Sequence, residues 1–424
     1  LIDMSTTANV FDPRIYAQGL PHETYRRLRD HDPVYWQEEH EVGDWEAGPG
    51  FWAVTRHADV VRVLRTPAEF SSWLGATQIR DPDPADLSFI RRMMLNLDPP
   101  DHGRLRRIVS GVFTPRRVER FTGGVEARAR LLIDGIAERG ECDLPADVTD
   151  DYPIHNLADL LGIPDDDRGQ ILEWTNRVIG YQDPDHATVV RGPDGRPVNP
   201  RSPAMLTDMF EYAHALAAYK RRNPADDIMT ALATAEVDGQ RLTDPELSMF
   251  FFLLVIAGND TVRSALPGGL LALLSHAEEH RRLLADPGLL DQAVEEMLRW
   301  HPPVLSFRRT AVRDTVLAGR RIAAGDKVVV FHGAANFDER RFTDPMRFDL
   351  ARTPNDHVSF GDGPHVCLGA RFARLQLRVF YRELLWRLPD VRLAGPPVRL
   401  VSNFIGGIKH LPLSYTPVPR LGVQ

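Results

Sequence analysis

The stretch His357–Arg371 reads HVSFGDGPHVCLGAR and carries Cys367, one of only two cysteines in 424 residues. Phe360, Gly361 and Gly363 precede the cysteine, Gly369 follows it, and Ala370–Trp386 then has the pattern of a helix. Glycines let a backbone turn tightly and approach a flat object closely. A cysteine entering a helix N-terminus meets amide N–H groups and a dipole that favour its thiolate. A thiolate in such a pocket is a metal ligand or a nucleophile. Cys142, in ERGECDLPAD, lacks that frame and reads as an inert buried cysteine.

Composition sets the outer bounds. A content of 43% hydrophobic and 26% charged residues is that of an ordinary globular enzyme, with ample chain for a large core. A net charge of −8 argues against general nucleic-acid binding. Two cysteines make no disulfide framework, so a reducing, cytoplasmic setting is expected. The longest apolar run, Phe250–Ala257, is far short of the roughly 20 residues a membrane span needs, and no signal peptide is visible. Leu1-Ile2-Asp3, ahead of Met4, is set aside from fold reasoning. The chain is expected to form one domain, 1–424, mainly α with a smaller β region.

Along the chain, His22–His31 and Ala58–Leu64 have helical periodicity, while Val34–Gln37 and Phe51–Thr55 read as strands. Ser71–Leu87, with DPDPAD inside it, reads as a binding loop or lid. Asp98-Pro99-Pro100-Asp101 opens a helix on which His102 and Arg106, four apart, share a face. Taken alone, that pair is a solvated basic face. Arg117–Leu161 and Arg168–Gly180 read as helical, Gln182–Pro203 as a polar break that would cover a cavity, and Ala204–Arg222 and Asp226–Glu236 as helices. Leu242-Thr243-Asp244-Pro245-Glu246-Leu247 has the capping box and hydrophobic staple of a strong helix start. Apolar residues fill nearly every position from Met249 to Ala257, so this helix is buried on all sides. If it reaches Ser275 it is about 50 Å long. Gly258-Asn259-Asp260-Thr261 therefore lies deep inside, where polar groups are costly without partners. A local widening of the helix that admits water would answer both the cost and the weak Gly-Asn pair.

The spacing Phe360-x-x-Gly363-x-His365-x-Cys367-x-Gly369 resembles the cysteine loop of the haem-thiolate monooxygenases, the cytochrome P450 superfamily. Ala257-Gly258-Asn259-Asp260-Thr261 is similar to that family's oxygen-binding segment. The resemblance extends, in order, through Asp98-Pro99-Pro100 with His102 and Arg106, Glu296-x-x-Arg299, Phe342–Phe348 and the cysteine loop. It implies a long central helix over a haem b, with the cysteine loop beneath. Cys367 would be the axial ligand, an assignment that general haem chemistry makes for this class. Ala257 and Gly258 would let the macrocycle lie against the helix, and Asp260 and Thr261 would hand protons to bound dioxygen. His102, Arg106, Arg309 and His365 would hold the propionates, as suits Arg and His donors, with Arg308 one position off. Phe360 and Gly369 would frame the loop.

Glu296 and Arg299 would form a buried structural pair with a second arginine, Arg352 in preference to Arg347. Val304–Phe307 and Arg308–Ala311 read as a strand pair lining the cavity. Phe337 and Gln376 depart from the family's usual Arg and Glu, which bears on folding support. No nucleotide-binding glycine motif follows a strand, so electrons would come from a separate ferredoxin and its reductase. Arg104, Arg107, Arg371, Arg374 and Arg378 are the candidate docking patch.

The implied activity is hydroxylation of an apolar small molecule. Candidate lining residues are Trp73, Leu74, Ile79, Ile179, Leu253, Ala257, Val304, Leu305, Phe404 and Ile405. The tail Ser402–Pro412 and Asn259 look like bacterial members that oxidise sterols, terpenoids and methyl-branched lipids. A polyketide or other secondary-metabolite scaffold is the alternative substrate. Outside oxidation, the open readings are a haem-thiolate sensor, which has no need of Asp260-Thr261, and an acyl-transfer enzyme using Cys367 as nucleophile.

Overall fold

Thr243 starts the helix around which the chain is packed. Its hydroxyl accepts from the Glu246 amide (3.3 Å), and Glu246 Oε2 accepts from the Thr243 amide (2.9 Å), closing the capping box. Two donors of the first turn are thereby satisfied, and the helix runs as Asp244–Leu274, about 46 Å. It is α-helical through Gly258-Asn259, so the expected local widening is absent. Thr261 Oγ1 instead donates to the Ala257 carbonyl at 2.7 Å, satisfying itself within the regular helix. Among the described residues this is the one helix long and apolar enough to cross a bilayer, and 61% of its most apolar span is buried in the protein.

The computed structural model describes residues 8–422 apart from 44, 180–181, 184, 186–194, 196–197, 199–201 and 203–204. Most of the expected cover at 182–203 lies outside the described residues. Of its two ends, Gln182 Nε2 donates to Asn403 Oδ1 at 3.1 Å, and Ser202 is buried.

Helices Asp151–Leu161, Arg168–Ile179, Thr207–Arg222, Leu290–Trp300 and Ala370–Arg387 pack around the central one. The stretch Arg117–Leu161, read as helical, is divided among several elements. Pro115–Glu119 and Thr122–Ala137 are separate helices, and the strand Glu141–Asp143 intervenes before Asp151–Leu161. Gly140, at φ +79°, follows the end of the first run, and Pro145 opens the next helical stretch, Pro145–Thr149, as a proline at a helix start can.

The main sheet has five strands in the order Val34–Gln37, Phe51–Val54, Lys327–Phe331, Ser306–Ala311, Phe70–Ser71. Phe51–Val54 and Lys327–Phe331 are parallel, and the other neighbours are antiparallel. The expected strand pair at 304–311 is a single strand, because Ser306–Ala311 pairs along its length with Lys327–Phe331. That register carries Arg308 and Arg309 on successive residues, hence to opposite faces.

Glu296 and Arg299 are fully buried and joined by two bonds of 2.8 Å. Arg352 adds two at 3.2 Å, whereas Arg347 contributes only its carbonyl. Phe337 stacks under the Arg299 guanidinium at 4.9 Å. Gln376 receives the Asn156 amide at 3.1 Å. Cys142 is buried, and burial pushes its thiol up to about 12, as fits an inert residue.

Candidate active site

Two adjoining cavities lie against the central helix, of about 230 Å³ and 710 Å³. Leu253, Ala257, Thr261, Val304 and Phe307 belong to both walls. The smaller cavity has Ala257, Gly258 and Thr261 on one side and Phe360, Cys367 and Gly369 on the other, with His102, Arg106, Arg309 and His365 also lining it. Ten of the eleven expected site residues thus meet in one cavity. The remaining one, Asp260, faces the larger cavity.

Each side chain is delivered by local chemistry. The Cys367 amide donates to the Phe360 carbonyl at 2.9 Å, closing the loop below the helix Ala370–Arg387. Gly363 sits at φ +67°, and a Cβ there would lie 2.5 Å from the Leu64 carbonyl oxygen, so no other residue fits that turn. The Gly369 position opens onto free space instead. Gly258 has a second reason for being glycine: a Cβ would press Leu157 Cδ1 at 3.1 Å. Asp98 accepts from the Ser72 amide at 2.8 Å and from the Ser71 hydroxyl, tying the 71–87 loop beside His102.

The electrostatics of the smaller cavity are one-sided. Arg309 is 3% exposed; among the described residues its side chain makes one hydrogen bond, to the Arg308 carbonyl (2.8 Å), and pairs with no carboxylate. Burial lowers its pKa to about 10. Burial also lowers His102 to about 4, and His102 Nε2 has no partner among the described residues. His365, whose ring centroid is 4.1 Å from that of His102, is lowered to about 2 by burial and then by Arg309, His102 and Arg106. Arg106 donates to the Val366 carbonyl at 2.7 Å and is likewise lowered by burial. An uncompensated buried cation costs several kcal/mol. Four donors crowded at one edge of an apolar cavity are a receptor for an anionic group. A haem fits this set: apolar walls for the macrocycle, donors for two propionates, and one sulfur for the metal. Among the described residues no group of three or more His, Cys, Asp or Glu forms a metal cage, so the sulfur would be the sole protein ligand.

Cys367 lies deep in the protein, yet its surface is open to this cavity. Burial raises its thiol, against the opposing pull of the Gly369 amide, Arg106, Arg374 and the Ala370 amide. The two amides and two arginines are the groups that would favour the thiolate once a metal is bound.

On the larger cavity, Asp260 is 6% exposed at its side chain and lies 3.7 Å from Arg263, which Asp150 grips at 2.6 Å. Sequence reading missed Arg263 and Asp150, which are 113 residues apart. Asn259 is fully buried and neither polar atom of its side chain finds a partner among the described residues.

The lining is partly as expected. Leu253, Ala257, Val304, Phe404 and Ile405 face the larger cavity. Trp73 and Leu74 do not; they are 39% and 41% exposed, and Arg91 covers Trp73 at 4.8 Å. Ile79 and Leu305 pack into a separate core cluster. The Ile179 side chain lies outside the described residues, and Val178 lines the wall. Of the expected docking arginines, Arg104, Arg374 and Arg378 are paired with Glu246, Glu295 and Asp291, which leaves Arg107 and Arg371 without acidic partners among the described residues.

Comparison with known proteins gives the same picture. The family model described as Cytochrome P450 matches residues 205–388. A steroid C26-monooxygenase of Mycobacterium tuberculosis is 37% identical over 96% of this chain and 92% of its own. A methyl-branched lipid omega-hydroxylase of the same species is 41% identical over 92% and 90%. A Mycobacterium marinum cytochrome P450 solved in complex with pseudoionone superposes with a TM-score of 0.85 at 38% identity, covering 97% of this chain and 99% of that one.

Proposed function

The chain belongs to the cytochrome P450 family, the haem b-dependent monooxygenases, and from that premise we propose that it hydroxylates a lipid-like molecule: a sterol, terpenoid or methyl-branched chain. The observation that carries the reading is the pairing of one cavity lined by Cys367 and four anion-seeking donors with a second, larger cavity walled by the same helix. The apolar wall shared by the two favours a hydrocarbon at the reacting end, and the two relatives named above act on a steroid and on a methyl-branched lipid.

Haem, when bound, would supply the dioxygen chemistry, and a thiolate ligand would lend it electron density. In the proposed mechanism Cys367 would give that thiolate, and His102, Arg106, Arg309 and His365 would hold the propionates. Leu253, Ala257, Val304 and Phe307 exclude water and hold the reacting carbon. Thr261, its hydroxyl proton directed at the Ala257 carbonyl, offers its oxygen toward the space both cavities share. Asp260 holds a proton in reserve behind it. Arg263 positions Asp260 and connects it to Asp150, which is 30% exposed at its side chain. Electrons come from a ferredoxin and its reductase in the cytoplasm, and the exposed Arg107 and Arg371 suit an acidic partner.

Titration of the haem-loaded protein with sterols, terpenoids and branched lipids, followed by the low-to-high-spin optical shift, tests the substrate class. A shift with these and turnover to a hydroxylated product are expected. Turnover confined to polyketide-like scaffolds would overturn it.

A further inference from the structure

The larger cavity changes character along its length. Its inner end is the wall shared with the donor-lined cavity, and it is apolar except for Thr261 and Asp260. Its outer end is marked by solvent-exposed lining residues, among them Glu46, Ala47, Asp81 and Asp83. Among the described residues, that mouth carries Glu39, Glu46, Asp81, Asp83 and Asp86 against a single lining arginine, Arg80.

Not all of these charges act. Lys327, buried behind the wall, pairs with Glu39 at 2.6 Å and Asp81 at 2.8 Å, and Arg308 pairs with Asp81 at 2.6 Å. Those two carboxylates are compensated. Arg80 donates to the Glu46 carbonyl at 3.1 Å and stacks over Trp45 at 5.2 Å, so its guanidinium is already engaged. Asp83 and Asp86 pair with no lysine or arginine among the described residues. Asp86 is raised by burial and then by the charge of Asp83, as two neighbouring carboxylates without a cation should be. On the same cavity wall the Ser202 hydroxyl is buried, at 7% exposure, and has no partner among the described residues. Among the described residues the mouth therefore holds Asp83 and Asp86 without a cationic partner and an unspent neutral hydrogen-bonding group, and shows no guanidinium fork of the kind carboxylate recognition uses.

We propose that this mouth selects the substrate's far end: Asp83 and Asp86 exclude a free carboxylate, so the molecule oxidised is an apolar skeleton whose remote polar group is uncharged, such as a hydroxyl, ketone or ester. The proposal rests on the lipid-hydroxylase reading and divides its substrates. Of the two chemistries suggested by the relatives, the neutral steroid type fits, and a branched lipid fits only with its acid group masked. Two like charges within about 7 Å in a solvent-rich mouth weaken a bound carboxylate on the order of ten-fold. Salt narrows the difference, because the Debye length is about 10 Å at 0.1 M.

The test titrates the haem-loaded protein with three probes: a methyl-branched fatty acid, its methyl ester and a neutral steroid ketone. The spin shift is read at low and high salt, in the wild type and in D83K/D86K. Both substituted positions are solvent-facing or half-buried, so the variant is expected to fold. The expected result is about ten-fold tighter binding of ester than acid at low salt, a smaller ratio at high salt, and loss or inversion of the ratio in D83K/D86K. Acid binding at least as tightly as ester in the wild type overturns the proposal and leaves the lipid-hydroxylase reading standing. An unchanged ratio in D83K/D86K overturns the assignment to these residues. No shift with any of the three probes overturns the lipid-hydroxylase reading and the proposal with it.

Discussion

Replacing Arg309 with methionine should move the stability of the protein in opposite directions with and without haem. Arg309 is 3% exposed and burial lowers it from 12.5 to about 10. At about 1.4 kcal/mol for each pH unit, keeping the charge in the haem-free protein costs about 3 kcal/mol. The folded-state value of this base lies below its unfolded one, so the cost is fully present at neutral pH and fades only as pH rises past the folded value. Methionine removes that cost and forfeits the bond to the Arg308 carbonyl, worth about 1 kcal/mol. The haem-free variant should therefore gain about 2 kcal/mol. In the haem-loaded protein the same change strands a buried propionate, which costs about 2–5 kcal/mol. Guanidinium unfolding of the haem-free protein gives the first quantity, and the rate and extent of haem transfer to an acceptor globin give the second. If the variant destabilises both forms alike, Arg309 is a packing residue and not a propionate donor.

Glu296→Gln should lower stability by about 3 kcal/mol, because it leaves the fully buried Arg299 without its counter-charge; an unfolding midpoint within error of the wild type would contradict this. Gly363→Ala forces a Cβ to within 2.5 Å of a carbonyl oxygen at φ +67°, a strain of about 2 kcal/mol or more. It should cut the yield of haem-loaded protein, and a normal yield would show that the turn can relax. Thr261→Ala should leave haem content unchanged, since that hydroxyl bonds only within its own helix. Product formed per NADPH consumed should fall and peroxide rise; retained coupling would remove Thr261 from the proton route.

Signals that are local in sequence survived best. The capping box needs only Thr243 and Glu246, three residues apart, and it formed as expected. The turn at Gly363 is likewise written in a few residues. Other parts of the site were legible only because the family pattern places them. Nothing near Arg309 says that it, rather than Arg308, faces the donor cluster; the alternation of a strand decides it. Arg352 completes the Glu296 pair from 56 residues away, and only the resemblance put it there.

What sequence did not reveal shares a physical cause. Arg263 meets Asp150 across 113 residues, and Lys327 meets Glu39 across 288. Neither pair leaves a local trace. Trp73 and Leu74 looked like lining because they are apolar, but their exposure and the stacked Arg91 show a loop surface.

The central claim is that Cys367 ligates a haem iron held by the donors at the cavity edge. The most direct measurement is the optical spectrum of the reduced, carbon monoxide-bound protein after haem loading, in the wild type and in Cys367→Ala. The wild type should show the strongly red-shifted Soret band of thiolate ligation, and the variant should bind haem without that band. An identical spectrum in the two, or no haem uptake by the wild type, would contradict the claim.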